Sequence, residues 1–462
     1  MKQHKIVTTV VSYIFCILYL TSCFEVPDRD IKPFYVYSYN DENSNIVAEI
    51  YIKTKDNTSF ESISASIPYL KYNKSWLMIL TMDDYKQDAY CRVWAAINGK
   101  PLPVSESVYY NAANLLYGDM PLNVYYLNKT LGSTDGAGNE VRFNFTTTLS
   151  PEENFMNAYP SPTGFNMFSG LIWDNVREIV NYDNGIAFHN VKADDESDVE
   201  KIKDHFALAQ EIIIKQLNGR GCKTLAEPDG NKKYIEAASN YPPIQIMTAQ
   251  SQAEKLFPGK VNSSIYKNII QRDFYRPCEW LDNINKILSK SPENREAFCV
   301  GIHGMTGRGQ IDTLALLNDL FGKDGDDSVW FTSLEEYYEY SEYRLNTTIK
   351  KSYSNDTLKL TVSIPSQQYF YYPSITINLT NVSMSNVIDI SSSKMVSGMS
   401  YAQFGNGIMI NIDCRKHLLE HAVYFVEKYE DNPSKSNRDD ALFFVNRLKT
   451  SQAKQALLQR LN

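Results

Sequence analysis

The stretch Leu77–Gln87, LMILTMDDYKQ, is an apolar run that ends in two adjacent carboxylates, Asp83 and Asp84. Three further apolar runs end in polar groups: GIAF before His189, CKTLA before the turn EPDGN at 227–231, and FCVGI before His303. Acidic residues are ordinary turn formers at strand ends, and a single histidine after a strand is more often structural than reactive. Four such deliveries in order point further, because the C-terminal ends of the strands of a parallel barrel converge on one mouth. Carboxylates and imidazoles gathered there are the groups that bind cations and move protons.

Elements able to hold such a mouth are legible on both sides of these residues. Residues 71–345 alternate apolar runs with helical patterns, as parallel βα units do. The plainest helix is 199–217, VEKIKDHFALAQEIIIKQL, with apolar residues three and four apart and NGRG as its stop. Further helices are expected at KYIEAASN, LDNINKILSK, IDTLALLNDLFG and SLEEYYEYSEYR, the last opening with Ser333 and Glu336 in capping-box spacing. The turn-rich stretch 100–165, with GSTDGAGNE, reads as a β-hairpin insertion. GSTDGAGNE lacks the spacing of an EF-hand and reads as a hairpin turn, not a calcium loop.

Outside that region the period changes to two. Residues 23–70 read as a tether followed by a small β-rich region, with FYVYSY and IVAEIYI as strands. Residues 346–413 read as a small antiparallel β module, from TLKLTVSI, ITINL and IMINI, and 414–462 as C-terminal helices over 415–430 and 437–461. His417 and His421, four apart on the first of these helices, read as an ordinary exposed pair, and His205 as a helix-face residue.

The chain has 462 residues and a net charge of −8, which argues against nucleic-acid binding. Lys2 and Lys5, the apolar stretch Ile6–Leu20 and LTSC ending at Cys23 describe a secretory signal peptide over 1–22. Leu-x-small-Cys resembles a bacterial lipobox, which implies lipidation of Cys23 and a membrane anchor; an ordinary signal peptide containing Cys23 is the alternative. The cysteines that remain, Cys91, Cys222, Cys278, Cys299 and Cys414, are scattered and odd in number, so no disulfide framework or cysteine zinc site is expected.

The ordered set resembles the polysaccharide deacetylases, the NodB-homology carbohydrate esterases, over roughly 75–345. TMDD at 81–84 looks like their Thr-Phe-Asp-Asp-Gly motif, and FHNVKAD at 188–194 matches the first half of their His-x-x-x-His. Pro228–Asp229–Gly230 is similar to their Pro-x-Gly loop, QRDFYRPCEW with Arg272, Asp273 and Trp280 to their fourth motif, and VGIHG to their fifth. DSVWFTSLEEYYEYSEYR is similar to the segment that closes the barrel in bacteroidal members. The implied fold class is α/β, a distorted (β/α) barrel of the polysaccharide deacetylase type with accessory β modules and a C-terminal helical tail.

By that resemblance Asp84 and His189 would hold a divalent metal, zinc or a similar ion, whose bound water attacks an acetyl group. Asp83 would be the base, His303 the general acid, Arg272 the partner of Asp83, and backbone amides near Pro228–Gly230 would help hold the oxyanion. The pattern also breaks. Ala193 stands where the second histidine falls, so either Asp194 or Asp195 would serve as an oxygen ligand, or the metal would be held by two protein ligands and water, weakly or not at all. Ala226 stands where an arginine is usual. Tyr85 replaces a glycine and would crowd the pocket or stack on a sugar. The implied protein is an envelope lipoprotein of a Gram-negative, Bacteroides-like bacterium that deacetylates an N- or O-acetylated glycan. A catalytically silent glycan-binding relative and a purely structural envelope component are the rivals.

Overall fold

The computed structural model describes residues 37–39, 45–55, 59–104, 109–110, 124–159, 165–166 and 169–462. Residues 1–22, expected to be a signal peptide, Cys23 and the first half of FYVYSY lie outside these residues. Seven parallel strands form the central sheet: β1 (Trp76–Met82), β2 (Thr146–Leu149), β3 (Gly185–Phe188), β4 (Thr224–Ala226), β5 (Ile246–Ala249), β6 (Ile269–Gln271) and β7 (Phe298–Ile302). Their order is β6-β5-β4-β3-β2-β1-β7. Beyond β6 the chain closes the ring: Asp273 pairs with Val300 of β7, donating to Cys299 O (3.0 Å) and accepting from Gly301 N (2.9 Å). An eighth strand, β8 (Val329–Thr332), lies along the N-terminal half of β1, while β2 pairs with its C-terminal end at Thr81 and Met82.

All seven residues of β1 are buried, as a parallel strand covered on both faces requires. Its period of two sorts them. Met78, Leu80 and Met82 pack in one core with helix residues such as Trp94, Ile311 and Leu314. Leu77 and Ile79 share a second core with Ile246, Ile270, Cys299 and the tyrosines of the helix Leu334–Asn346. Thr81 and Asp83 continue the Leu77–Ile79 row, and the barrel interior therefore receives Asp83.

One barrel strand departs from the expected division. Thr146–Leu149 lies within the stretch read as an insertion, yet TTTL is β2 of the barrel. Its threonines are buried with their hydroxyls engaged: Leu334 N donates to Thr146 Oγ1 (3.3 Å) and Tyr85 N to Thr148 Oγ1 (3.1 Å). A strand whose face is threonine carries little hydropathy signal. The adjacent GSTDGAGNE is a hairpin, Gly132–Thr134 against Glu140–Arg142, and Asp135 Oδ1 accepts from Ala137 N and Asn139 N across its turn.

The helices follow the 3.6-residue pattern. They are α1 (Trp173–Asn181), α2 (Val199–Gln216), α3 (Lys232–Ser239), α4 (Pro277–Leu288), α5 (Arg308–Phe321) and α6 (Leu334–Asn346). Asp198, Asn231 and Ser333 cap α2, α3 and α6 by accepting from backbone amides of the first turn. Among the described residues no helix is long and apolar enough to cross a membrane.

The N-terminal strand Ile46–Thr54 does not form a sheet of its own. It lies between Thr357–Ile364 and Val387–Ser392 in a four-stranded antiparallel sheet edged by Thr348–Ser354. A second sheet orders Ala65–Ser66, Ser374–Leu379, Gly407–Asp413 and Gly398–Phe404. Ile50, Leu360, Ile377 and Ile410 of the two sheets lie in one core with Leu77 and Ile79, which makes the accessory sheets continuous with the barrel packing.

At the C-terminus the run 437–461 divides into α8 (Lys435–Asn446) and α9 (Gln452–Arg460), after α7 (Leu418–Asp431), because Ser451 caps a new helix start. His421 is buried among Tyr37, Phe425 and Phe444, not exposed as its spacing with His417 suggested, and burial pushes its imidazole down to about 3. Asp440 on α8 is also buried, meeting Lys100, Arg142 Nη1 (2.6 Å) and the Tyr182 hydroxyl (2.7 Å). Burial alone would raise its carboxyl, but Lys100 and Arg142 outweigh burial and hold it down at about 2. A folded value below the ordinary ~3.9 contributes stability above about pH 4 that is lost as pH falls from there towards 2. Asp440→Asn is therefore expected to remove about 2 kcal/mol of the stability difference between pH 7 and pH 2, read from urea midpoints. An unchanged difference would contradict this assignment.

Candidate active site

Asp83 ends β1 as a strand residue, its amide donating to Ile302 O (2.9 Å) in register with β7. The next two residues leave the strand in left-handed conformation, Asp84 at φ +60° and Tyr85 at φ +43°. Such φ values are costly for residues other than glycine, of order 1–3 kcal/mol each, and persist where surrounding structure holds them. Here the hold is visible: Tyr85 N donates to Thr148 Oγ1 and Tyr85 O accepts from Leu171 N (2.8 Å). This kink lets adjacent carboxylates serve two different places.

Asp83 is fully buried against Arg272, whose Nη1 donates to Oδ1 at 2.6 Å with both side chains at 1% exposure or less. Arg272 Nη2 donates to Glu227 O (3.0 Å), and its guanidinium lies 5.0 Å from the Phe274 ring. Asp84 turns to the mouth. Its Oδ1 stands 3.6 Å from His189 Nε2, and its Oδ2 3.0 Å from Lys86 Nζ. The facing His189 ring, then Lys86 and the nearby His303, hold the Asp84 carboxyl well below the usual carboxylate range.

His189 Nδ1 lies 2.8 Å from Ala226 O, and donation there leaves Nε2 facing Asp84. The backbone of Ala226–Glu227 thus orients both His189 and Arg272. The Glu227 side chain is itself buried and paired with Lys232 (2.6 Å). His303 is exposed and stacks on Phe274, with centroids 5.1 Å apart. Gly301, two residues earlier, permits this: a Cβ there would lie 2.7 Å from Phe274 Cζ and 3.0 Å from Arg272 Cδ. Tyr85 sits half-buried at the same mouth, its ring 5.8 Å from Phe155.

The structure therefore brings together Asp83, Asp84, His189, Arg272, His303 and Tyr85. Asp194 is not among them. Its side chain is 79% exposed and pairs with Lys201 (3.0 Å) on the first turn of α2, because the 189–198 loop runs outward to the Asp198 cap. Asp195 likewise turns back on Ser197. Trp280 does not reach a substrate position: it is wholly buried on α4, donating to Tyr275 O (2.9 Å), and so supports the chain behind Phe274. Pro228–Asp229–Gly230 forms the turn into α3, with Asp229 and Gly230 exposed at positive φ and Pro228 O accepting from Asn231 N (2.8 Å).

Whether these residues fit a zinc ion is decided by donors. Catalytic zinc takes three protein ligands and a water. Asp84 and His189 are two, and among the described residues no group of three His, Cys, Asp or Glu side chains is placed to hold a metal. Lys86 occupies the second oxygen of Asp84. The residues present do not make a three-ligand zinc centre.

Lys86, Phe274, Gly301 and the carbonyls of Ala226 and Glu227 were not singled out from sequence. Lys86 stood inside the same stretch as the aspartates, whereas a backbone carbonyl has no sequence signal. Two cavities, of about 90 and 680 Å³, lie at the opposite end of the barrel, around Asp183 and Arg447 and around Lys129 and Lys323. Chemistry, not cavity size, marks the strand C-terminal mouth as the site.

The nearly closed parallel sheet, with its helices and accessory sheets, is consistent with a deacetylase-type barrel. A family model described as "Putative polysaccharide deacetylase" matches residues 48–462, and the chain belongs to that family. A search of the curated proteins returns no match.

Proposed function

We propose that this mouth hydrolyses acetyl groups, on nitrogen or oxygen, from an acetylated glycan. The observation that supports the reading best is the division of labour between adjacent carboxylates: Asp83 buried on Arg272, Asp84 turned to His189. Arg272 engages Asp83 Oδ1, which leaves Oδ2 to take a proton from the attacking water. His303, exposed beside Asp84 and backed by Phe274, delivers a proton to the leaving amine or hydroxyl. Tyr85 and Phe155 supply aromatic faces at the rim on which a sugar ring packs.

The test is acetate release from N-acetylated and O-acetylated oligosaccharides by the purified protein. Glycan binding with no acetate released would favour the non-catalytic relative, for which Ala193 and the outward Asp194 speak. We also propose an envelope location with Cys23 lipidated, on the strength of LTSC after the apolar leader. Cys23→Ala should move the expressed protein from the membrane fraction to the soluble fraction; unchanged membrane association would count against the anchor.

A further inference from the structure

Lys86 has a position that the mouth's other groups do not explain. Its ammonium lies 3.0 Å from Asp84 Oδ2 while His189 Nε2 faces Oδ1 of the same carboxylate. We propose that this ammonium is the site's resident cation. It stands against Asp84 where a divalent ion would otherwise be neutralised, and it offers an N–H to the oxyanion that forms on the acetyl group. The role at the oxyanion rests on the deacetylase reading; the exclusion of a metal ion does not.

The backbone carries the first argument. Lys86 forms an antiparallel bridge with Gly170, clamped on both sides by Leu171 N to Tyr85 O and Gln87 N to Ser169 O, each 2.8 Å. The Gln87 side chain adds donations to Gly170 O (3.1 Å) and Asn175 Oδ1 (2.7 Å) and is fully buried. The lysine stem therefore begins at a fixed point, unlike that of a surface lysine.

Donor count and charge carry the second. An ammonium has three N–H groups; Asp84 takes one, and 44% of the side chain is exposed, which leaves the others room to meet a bound acetyl group. Charges then balance in pairs, Asp83 with Arg272 and Asp84 with Lys86. The missing third ligand agrees with this. Ala193, in place of a histidine, packs on the barrel's outer core, and no second imidazole is needed where a lysine supplies the charge.

In the step that follows, water oxygen bonds to the acetyl carbon, Asp83 takes the water proton, and the carbonyl π pair moves onto oxygen, where Lys86 donates a hydrogen bond. Collapse re-forms the carbonyl and breaks the bond to the sugar nitrogen or oxygen, which receives its proton from His303. Acetic acid, which ionises to acetate in solution, and a free amine or hydroxyl leave; the proton held by Asp83 returns to His303 through water, and Lys86 transfers none.

The experiment is a calorimetric Zn²⁺ titration of the purified wild type, Lys86→Ala, Lys86→Arg and the double variant Asp84→Asn/Lys86→Ala, with acetate release measured in parallel. Expected is no Asp84-dependent zinc site in the wild type or Lys86→Arg. Lys86→Ala should gain one weak two-ligand site per chain on Asp84 and His189, at least tenfold tighter than any zinc binding by the wild type and lost in the double variant. Acetate release should fall about 100-fold in Lys86→Ala, the usual cost of removing one oxyanion donor, and recover partly in Lys86→Arg or with added methylammonium. One zinc bound by the wild type as tightly as by Lys86→Ala would overturn the proposal, as would undiminished turnover in Lys86→Ala. A wild type that releases no acetate, with the zinc results as expected, would remove the deacetylase reading and leave the cation assignment standing.

Discussion

Replacing Asp83 by asparagine is expected to lower kcat for acetate release by about 10³-fold, the middle of the range for loss of a general base. Asparagine keeps an oxygen where Oδ1 accepts from Arg272 Nη1, so the guanidinium keeps its contact and its second bond to Glu227 O. What is lost is the basic oxygen that takes the water proton. KM should change little, because a group that acts on the water contributes little to ground-state binding of the sugar. The pattern distinguishes the base from a positioning residue: an equal loss from raised KM would place Asp83 in substrate binding instead. Circular dichroism and melting of the variant guard against misfolding as the cause.

The second large effect lies at the other end of the barrel. Glu335 on α6 is wholly buried, accepting from Arg220 Nη2 and Lys223 Nζ at 2.6 Å each. Lys223 also meets Glu339 (2.7 Å), whose Oε2 accepts from Tyr371 N (2.8 Å) and Tyr372 N (2.6 Å). Arg220 further donates to the Tyr372 hydroxyl (2.9 Å) and the Tyr39 hydroxyl (3.3 Å). Two cations and two carboxylates thus neutralise one another and join the barrel, α6 and the segment leading to the second β-sheet. Glu335→Ala leaves two buried cations facing one carboxylate. Removing one partner of a buried ion pair costs about 3–5 kcal/mol, and the expected result is that loss in urea unfolding, with Glu335→Gln milder. A change below about 1 kcal/mol would show that water enters and solvates the cations.

Much of this architecture is legible in the sequence because it follows period and punctuation. The seven-residue run before Asp83, the amphipathic 199–216 helix and the alternation of TLKLTVSI each reappear as an element. The strand Thr146–Leu149 was hidden by its hydroxyls, which satisfy neighbouring amides instead of adding hydropathy. The pairing of Ile46–Thr54 with strands more than 300 residues away was hidden because alternation names a strand but not its partner. At the mouth, Asp83, Asp84, His189 and His303 could be named because polar types follow apolar runs, and Arg272 through the family resemblance alone. Asp194 misled because a carboxylate near the right spacing says nothing of the loop's direction, which the Asp198 cap decides. Arg220 and Lys223, read as part of a helix stop and its sequel, gave no sign of burial: long cations are buried only when distant carboxylates meet them.

In the proposed reaction, water directed by Asp83 cleaves an acetyl group at this mouth. Its most direct measurement is NMR-detected acetate formation from an acetylated oligosaccharide in H₂¹⁸O, with the wild type and Asp83→Asn side by side. Expected is catalytic release of acetate carrying one solvent oxygen from the wild type and about 10³-fold slower release from the variant. Equal rates in the two proteins, or bound glycan with no acetate formed by either, would contradict it.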